Sequence, residues 1–207
     1  MQVINMDIQP SNLAWKDAYK LMVGSILPRP IALVSSINKE GVANIAPFSF
    51  FTAISAEPML VCFSPMRRGT DGSKKDTLLN IESTKEFVIN IVSEEIVEQM
   101  NITATEFPGE VDEFEESGFT KEPSSMVTPP RVKESLVQME CSLHEVFHFG
   151  DKPGSGSLVI GKVESFHISD DLYYEGKIDT KKLNPVGRMA GSMYTKAISE
   201  MFELQRK

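Results

Sequence analysis

The stretch from residue 28 to residue 78 constrains the fold more than any other part of the chain. It opens on Pro28-Arg29-Pro30, and two prolines one residue apart force an extended path, because each fixes its own φ and turns its predecessor away from helix. Ile31 to Ile37 then reads as a strand, and Asn38-Lys39-Glu40-Gly41 as a hairpin turn. Val42 to Ser55 reads as a second strand bent at Pro47, since proline cannot donate to a sheet ladder. Met59 to Ser64 is a third strand, and a helix is expected from about Lys75 to Thr84.

The same reading extends along the rest of the chain. Leu13 to Val23 has the apolar spacing of a short amphipathic helix, with Ser11 or Asn12 as its N-cap. Glu86 to Val92 is a further strand and Glu94 to Thr105 a further helix. Residues 106–118 form an acidic surface stretch, read as a solvated loop with a helical turn or as a flap over a binding site, tacked down by Phe114 and Phe119. Val127 to Lys133 is interrupted by proline. Val137 to Phe149 and Leu158 to Ile168 are long strands joined by the turn-rich Gly150 to Ser157 segment. Lys196 to Gln205 is expected to be helical, with Ile198, Met201, Phe202 and Leu204 on its apolar face. Strands outnumber helices and hairpins connect several of them. The expectation is a mainly β, closed antiparallel barrel with peripheral helices, in one domain over 1–207 whose core spans about 18–195 and whose last helix spans 196–207.

A chain of 207 residues with 41% apolar and 24% charged residues can bury a sizeable core. A net charge of −8 lacks the basic footprint of a nucleic-acid binder and disfavours an anionic membrane surface. The two cysteines, Cys62 and Cys141, lie in apolar strand-like runs and are expected as buried, reduced thiols. The first residues lack the pattern of a signal peptide, and no run reaches the roughly 18–20 apolar residues of a membrane span, so a cytoplasmic location is expected.

Several motifs carry no chemistry on this reading. Gly150, Gly154 and Gly156 precede a strand rather than a helix and lack the Lys-Ser/Thr pair of a phosphate loop, and no dinucleotide-binding glycine pattern opens a βαβ unit. His144 and His148 share a strand face without further ligands at metal spacing, and His167 stands alone, so no metal is expected. No nucleophile elbow is present, and no catalytic acid–base residue is assigned.

Three segments do carry chemistry. Lys74-Lys75-Asp76-Thr77 opens a helix, where unpaired N–H groups and a partial positive charge make lysines unfavourable unless an anion binds; Leu78, Leu79 and Ile81 are expected to face the core. Arg67, Arg68 and Thr70 stand just upstream. Alternatively this is a surface helix with incidental lysines. Ala46-Pro47-Phe48-Ser49-Phe50-Phe51 offers small residues and a bend that let backbone approach a flat ring, or else simply fills the barrel. Pro185-Val186-Gly187-Arg188 to Tyr194 places one arginine and one tyrosine in a turn-rich segment before the last helix.

Together these segments resemble the flavin reductase-like family of FMN-binding split-barrel proteins, which includes flavoredoxin. The matching residues are Pro28 to Ser35, Asn44-x-Ala46-Pro47-Phe48-Ser49-Phe50-Phe51, Pro58 with Phe63-Ser64-Pro65, Lys75-Asp76-Thr77-Leu78-x-Asn80-Ile81, and Pro185-x-Gly187-Arg188 with Gly191 and Tyr194. The resemblance implies a six-stranded antiparallel split barrel, a homodimer and non-covalent FMN near the subunit interface. It implies a cofactor site of Asn44, Ala46, Pro47, Phe48, Ser49, Ser64, Lys75, Asp76, Thr77 and Arg188. Ala46 to Ser49 line the ring and ribityl chain, Ser64 sits beside them, Lys75 and Thr77 meet the phosphate, and Arg188 approaches from the far loop. It further implies an oxidoreductase passing electrons from NADH or NADPH through FMN to an acceptor. The alternatives are a flavoredoxin-like carrier reduced by a protein partner and a non-catalytic FMN-binding protein. The expected partners are a second copy of the chain and an electron-transfer protein or monooxygenase.

Overall fold

The computed structural model describes residues 6–205. The chain runs through a short 3-10 turn (Pro10–Asn12), α1 (Trp15–Ser25), β1 (Arg29–Pro30), β2 (Ala32–Ile37), β3 (Ala43–Phe48), β4 (Phe51–Ala56), β5 (Met59–Phe63), α2 (Asp76–Thr84) and β6 (Glu86–Ile91). It continues through a second 3-10 turn (Glu94–Ile96), α3 (Val97–Ile102), α4 (Glu113–Ser117), β7 (Lys121–Glu122), β8 (Arg131–Val132), β9 (Val137–His148) and β10 (Ser157–Ile168). A small hairpin (β11, Tyr173–Tyr174; β12, Lys177–Ile178), α5 (Thr180–Leu183), β13 (Val186–Arg188) and β14 (Tyr194–Lys196) complete it.

Seven strands form the main sheet in the order β3-β2-β6-β9-β10-β5-β4, antiparallel throughout. The two end strands of that order, β3 and β4, are consecutive in the chain and separated only by Ser49-Phe50. The sheet therefore curls back on itself and closes at that bend. The expected single strand from Val42 to Ser55 is two strands, which is why the sheet has seven members rather than six. Pro47 still pairs with Leu33, so the break comes two residues later, where the chain leaves one edge of the sheet for the other.

Two apolar layers hold this barrel. Its interior contains Ala32, Val34, Phe48, Val61, Phe63, Phe87, Ile89, Met139, Cys141 and Val159, with Leu78 and Ile81 of α2 packed in the same cluster. Phe63 meets Phe48 and Phe87 with ring centroids 5.0 and 5.6 Å apart, in tilted and edge-on arrangements that aromatic pairs favour. A second layer outside the barrel contains Ile31, Leu33, Ala43, Ile45, Met100, Phe114, Phe119 and Val132. β2 thus sends alternate residues to both layers, and this explains its unbroken apolar run. Cys62 and Cys141 are both free and buried.

Four expectations need correction. Leu79 is 47% exposed, because helical geometry carries it away from the face shared by Leu78 and Ile81. The N-cap of α1 is Ala14; Ser11 and Asn12 sit in the preceding 3-10 turn. Glu94 to Thr105 divides into a 3-10 turn and the shorter α3. The C-terminal segment is not a helix over its described part: β14 ends at Lys196, and turns and irregular chain follow to residue 205. Met201, Phe202 and Leu204 are exposed there, so the apolar periodicity packs on nothing among the described residues, and an isolated segment of about ten residues does not hold a helix in water by propensity alone. Positions 206 and 207 of that expected helix, and the first five residues read for a signal peptide, lie outside the described residues.

Candidate functional site

Three adjoining clefts surround Pro47. The first, of about 110 Å³, is lined by Asn44, Ala46, Pro47, Arg68, Lys75, Asp76, Thr77, the Thr103–Phe107 segment and Glu113. The second, about 170 Å³, is lined by Tyr19, Pro47, Phe48, Ser49, Phe50, Ser64, Met66 and Lys75. The third, about 170 Å³, is lined by Ile31, Pro47, Ser49, Met100, Asn101, Ala104, Arg188 and Tyr194. Pro47 lines all three, Lys75 joins the first to the second, and Ser49 joins the second to the third. All ten residues named from the sequence line at least one of these lobes. Lys75 and Ser49, 26 positions apart in the chain, face the same one.

The first lobe is a polar pole at the start of α2. Lys75 is the helix N-cap in extended conformation, and no side chain caps the helix. Its carbonyl accepts from the Leu78 and Leu79 amides at 3.0 and 3.2 Å, and the positive end of the helix dipole falls at Lys75, Asp76 and Thr77, which line the lobe. Lys75 makes no ion pair among the described residues, whereas its neighbour Lys74 is bound to Glu82 at 2.6 Å. The two lysines of the sequence motif are therefore separated: one serves the pole and the other holds the helix side. Arg68 also enters the lobe, donating to Asp76 at 2.7 Å and lying 3.2 Å from Glu106. Arg67 turns away to the carbonyls of Gly150 and Gly72.

Beneath this pole runs a chain of hydrogen bonds that the sequence did not disclose. Thr77 Oγ1 donates to Asn44 Oδ1 at 2.7 Å, and Ser36 Oγ donates to the same oxygen at 3.3 Å. Asn44 Nδ2 donates to Glu113 Oε2 at 2.7 Å, and that oxygen also accepts the Ile45 amide at 2.8 Å. Glu113 is 6% exposed. Burial pushes its pKa up to about 7; Asp76 adds to the rise, while the Ile45 amide, Asn44 and Lys75 oppose it. The acidic composition of residues 106–118 hid this residue, because one buried carboxylate among exposed ones has no sequence mark. Asp112 caps α4 by accepting from the Phe114 amide, and Phe114 is buried at 1% exposure, which together turn Glu113 inward.

The second and third lobes meet at Ser49. Its hydroxyl accepts from Arg29 Nε at 3.3 Å. Arg29 is 4% exposed and donates through Nη1 to the carbonyls of Val23 at 2.8 Å and Ile26 at 3.0 Å, and through Nη2 to that of Met189 at 3.0 Å. Burial lowers its pKa, with Arg188 acting in the same direction and Tyr19 against it. Arg29 pairs with Arg188 in the β1–β13 ladder, and the Arg188 guanidinium lies 4.4 Å from the Tyr194 ring centroid. Tyr194 in turn donates to Asn101 at 3.2 Å. Sequence reasoning placed Arg29 in a motif without a role; here it braces the bend. Ser64 is held by its amide, which donates to the Phe50 carbonyl at 2.8 Å.

Chemically, the site joins an anion-ready helix start to a narrow groove of backbone, small hydroxyls and aromatic edges, with a second cation at the far end. No group of three or more potential metal ligands occurs among the described residues.

Known proteins bear the same arrangement of chain. A protein of Halalkalibacterium halodurans is 41% identical over 203 residues, covering 97% of this chain and 96% of its own. The crystal structure of nitrilotriacetate monooxygenase component B from Bacillus cereus superposes with a TM-score of 0.92 at 38% identity, covering 98% of this chain and all of that one. That of Pseudomonas fluorescens 2-nitrobenzoate 2-nitroreductase NbaA gives 0.86 at 31% identity, over 98% and 96% of the two chains. The family model described as "Flavin reductase like domain" matches residues 23–182, and with these relatives it shows that the chain belongs to the flavin reductase-like family.

Proposed function

We propose that this protein binds FMN non-covalently in the cleft around Pro47 and works as an NAD(P)H-dependent oxidoreductase, delivering electrons to an acceptor. The observation that carries this reading is the joining of a cationic helix start, at Lys75, to a narrow groove at Ser49, through one shared lobe. A flavin mononucleotide has that polarity: an anion at one end and a flat ring at the other. When bound, FMN supplies hydride acceptance and one-electron release.

The chain's own residues do the rest. Lys75, Arg68 and the first amides of α2 hold the phosphate, and Asn44 and Thr77 lie beneath it. Ala46 to Ser49 and Ser64 set the groove wall, and Arg29 keeps Ser49 in place. Arg188, stacked on Tyr194, provides a positive charge at the third lobe, where it stabilises negative charge that develops on reduction. Asp76, bridged to Arg68, orients that arginine.

A homodimer fits the same reading. Trp15, Tyr19, Met22 and Ile26 follow one another at helical spacing along α1 and its exit, and all are exposed, at 39%, 37%, 45% and 62%. Tyr19 also lines the second lobe, so a second copy covering this stripe closes the cleft. The similarity to a monooxygenase component B supports a monooxygenase as the protein partner that uses the reduced flavin. The test is direct. Purified protein is expected to show the absorbance of oxidised flavin, and anaerobic NADH or NADPH is expected to bleach it within the time of turnover. Flavin that dithionite bleaches but neither nucleotide reduces would assign the protein to the carrier class; protein with no affinity for FMN would remove the reading.

A further inference from the structure

We propose that Glu113 is a proton-controlled positioning residue of the anion pole: neutral, it lets the Thr77 hydroxyl donate to the phosphate of a bound flavin nucleotide; ionised, it keeps that hydroxyl turned inward. This rests on the flavin reading above and adds to it a residue and a regulation.

The geometry sets the logic. An ionised carboxylate only accepts hydrogen bonds. With Glu113 Oε2 taking Asn44 Nδ2 at 2.7 Å and the Ile45 amide at 2.8 Å, the Asn44 amide has one orientation, with Oδ1 directed at Thr77 and Ser36. Thr77 therefore spends its only proton on Asn44 at 2.7 Å and shows lone pairs to the lobe. A phosphate arriving there meets acceptor against acceptor. A neutral Glu113 carries an O–H of its own and donates it to Asn44 Oδ1 once the amide turns over. Asn44 Nδ2 then donates to Thr77 Oγ1, and the Thr77 proton is released toward the lobe. The Ile45 amide keeps an acceptor on the carboxyl group. One amide turns, the Thr77 and Ser36 hydroxyls rotate and no backbone moves.

Charge acts in the same sense. The groups facing Glu113 are Lys75 and Asp76 from α2, with Arg68 and Glu106 from the loops that line the same lobe. β3 presents no titratable side chain, Glu98 of α3 is exposed, and so are Glu115 and Glu116 on α4 itself. Neutralising Glu113 leaves the pole more positive for a dianion. Its pKa of about 7 places the switch in the neutral range.

The experiment compares FMN with riboflavin, which has the ring but no phosphate, by fluorescence titration of the wild type and Glu113→Gln between pH 6 and 8.5. The substituted side chain does not ionise, so it removes the titration at this position while its carbonyl oxygen can still accept from Asn44 and Ile45. The FMN Kd of the wild type is expected to rise about fivefold more than that of the variant across this range, while riboflavin shows no such difference. Titration of the phosphate itself, near pH 6, is common to both proteins and cancels in the comparison. As a check independent of the variant's folding, calorimetry of the wild type at pH 8 in two buffers of different ionisation enthalpy is expected to show uptake of about a third of a proton per FMN. FMN binding with superimposed pH profiles, or with no proton taken up at pH 8, overturns the role of Glu113 alone. Absence of FMN binding at every pH overturns the flavin reading and this proposal with it.

Discussion

The Arg29 guanidinium donates through Nε to Ser49 Oγ at 3.3 Å, linking the residue between the two leading prolines to the bend that closes the barrel. Its other donors hold three backbone carbonyls, at Val23, Ile26 and Met189, so one buried cation ties α1, the bend and the segment after β13 together. Arg29→Met is expected to lower stability by about 3 kcal/mol, because it leaves the buried Val23 carbonyl and the part-buried carbonyls of Ile26 and Met189 without their donor. Urea unfolding checks this; a midpoint within error of the wild type would show that the network contributes nothing net.

Lys75→Ala tests the anion pole. FMN affinity is expected to fall ten- to a hundredfold, roughly 1.5–3 kcal/mol, as for loss of a charge-assisted hydrogen bond. Riboflavin affinity is expected to stay unchanged. Equal weakening of both ligands would place Lys75 at the ring instead of the phosphate.

Gly161 lies in β10 directly over an aromatic ring. A Cβ there would come within 2.3 Å of Phe87 Cζ and 3.3 Å of Cys141 Cβ. Gly161→Ala is expected to destabilise the barrel by about 2 kcal/mol, and Phe87→Leu in the same chain to recover part of that loss. Thermal unfolding of the two single variants and the double variant reads the coupling, and strict additivity would show that the contact is relieved elsewhere.

Glu140 is fully buried and accepts from the Ser125, Met126 and Val127 amides, with His167 beside it. Burial alone would raise its pKa, but the Ser125 and Met126 amides, His167 and the Ser125 hydroxyl outweigh that and hold it at about 2. A folded pKa below the unfolded value of 4.5 stabilises the native state above pH 4.5, and the contribution is lost as pH falls toward 2. Glu140→Gln is expected to cost about 3 kcal/mol at neutral pH and to flatten the stability profile between pH 5 and 2. A variant with the same acid-unfolding midpoint and slope would contradict this.

The residues that were readable in the sequence are those whose role is local. Paired prolines, the Gly41 turn and the apolar run of β2 each dictate backbone over a few positions, and the barrel strands follow from them. Lys75 was readable because a cation at a helix start is locally unfavourable. Glu113 was not, since its burial depends on Phe114 docking against a layer built by β2, β3 and α3. The C-terminal segment misled for the converse reason: its periodicity promises a helix, yet the described chain gives that face nothing to pack against. Leu79 follows Leu78 in an apolar run, but the roughly 100° step of a helix turns it out.

The closure of the sheet at Ser49-Phe50 has one further consequence. Because the first and last staves of the cask are the same stretch of polypeptide, the hoop that binds them is also the floor of the cleft around Pro47. Loosening either edge, even by a substitution far from the groove, shifts that floor. Occupancy of the groove should therefore report on the integrity of the whole wall, and a ligand seated there would brace the joint between its two edges.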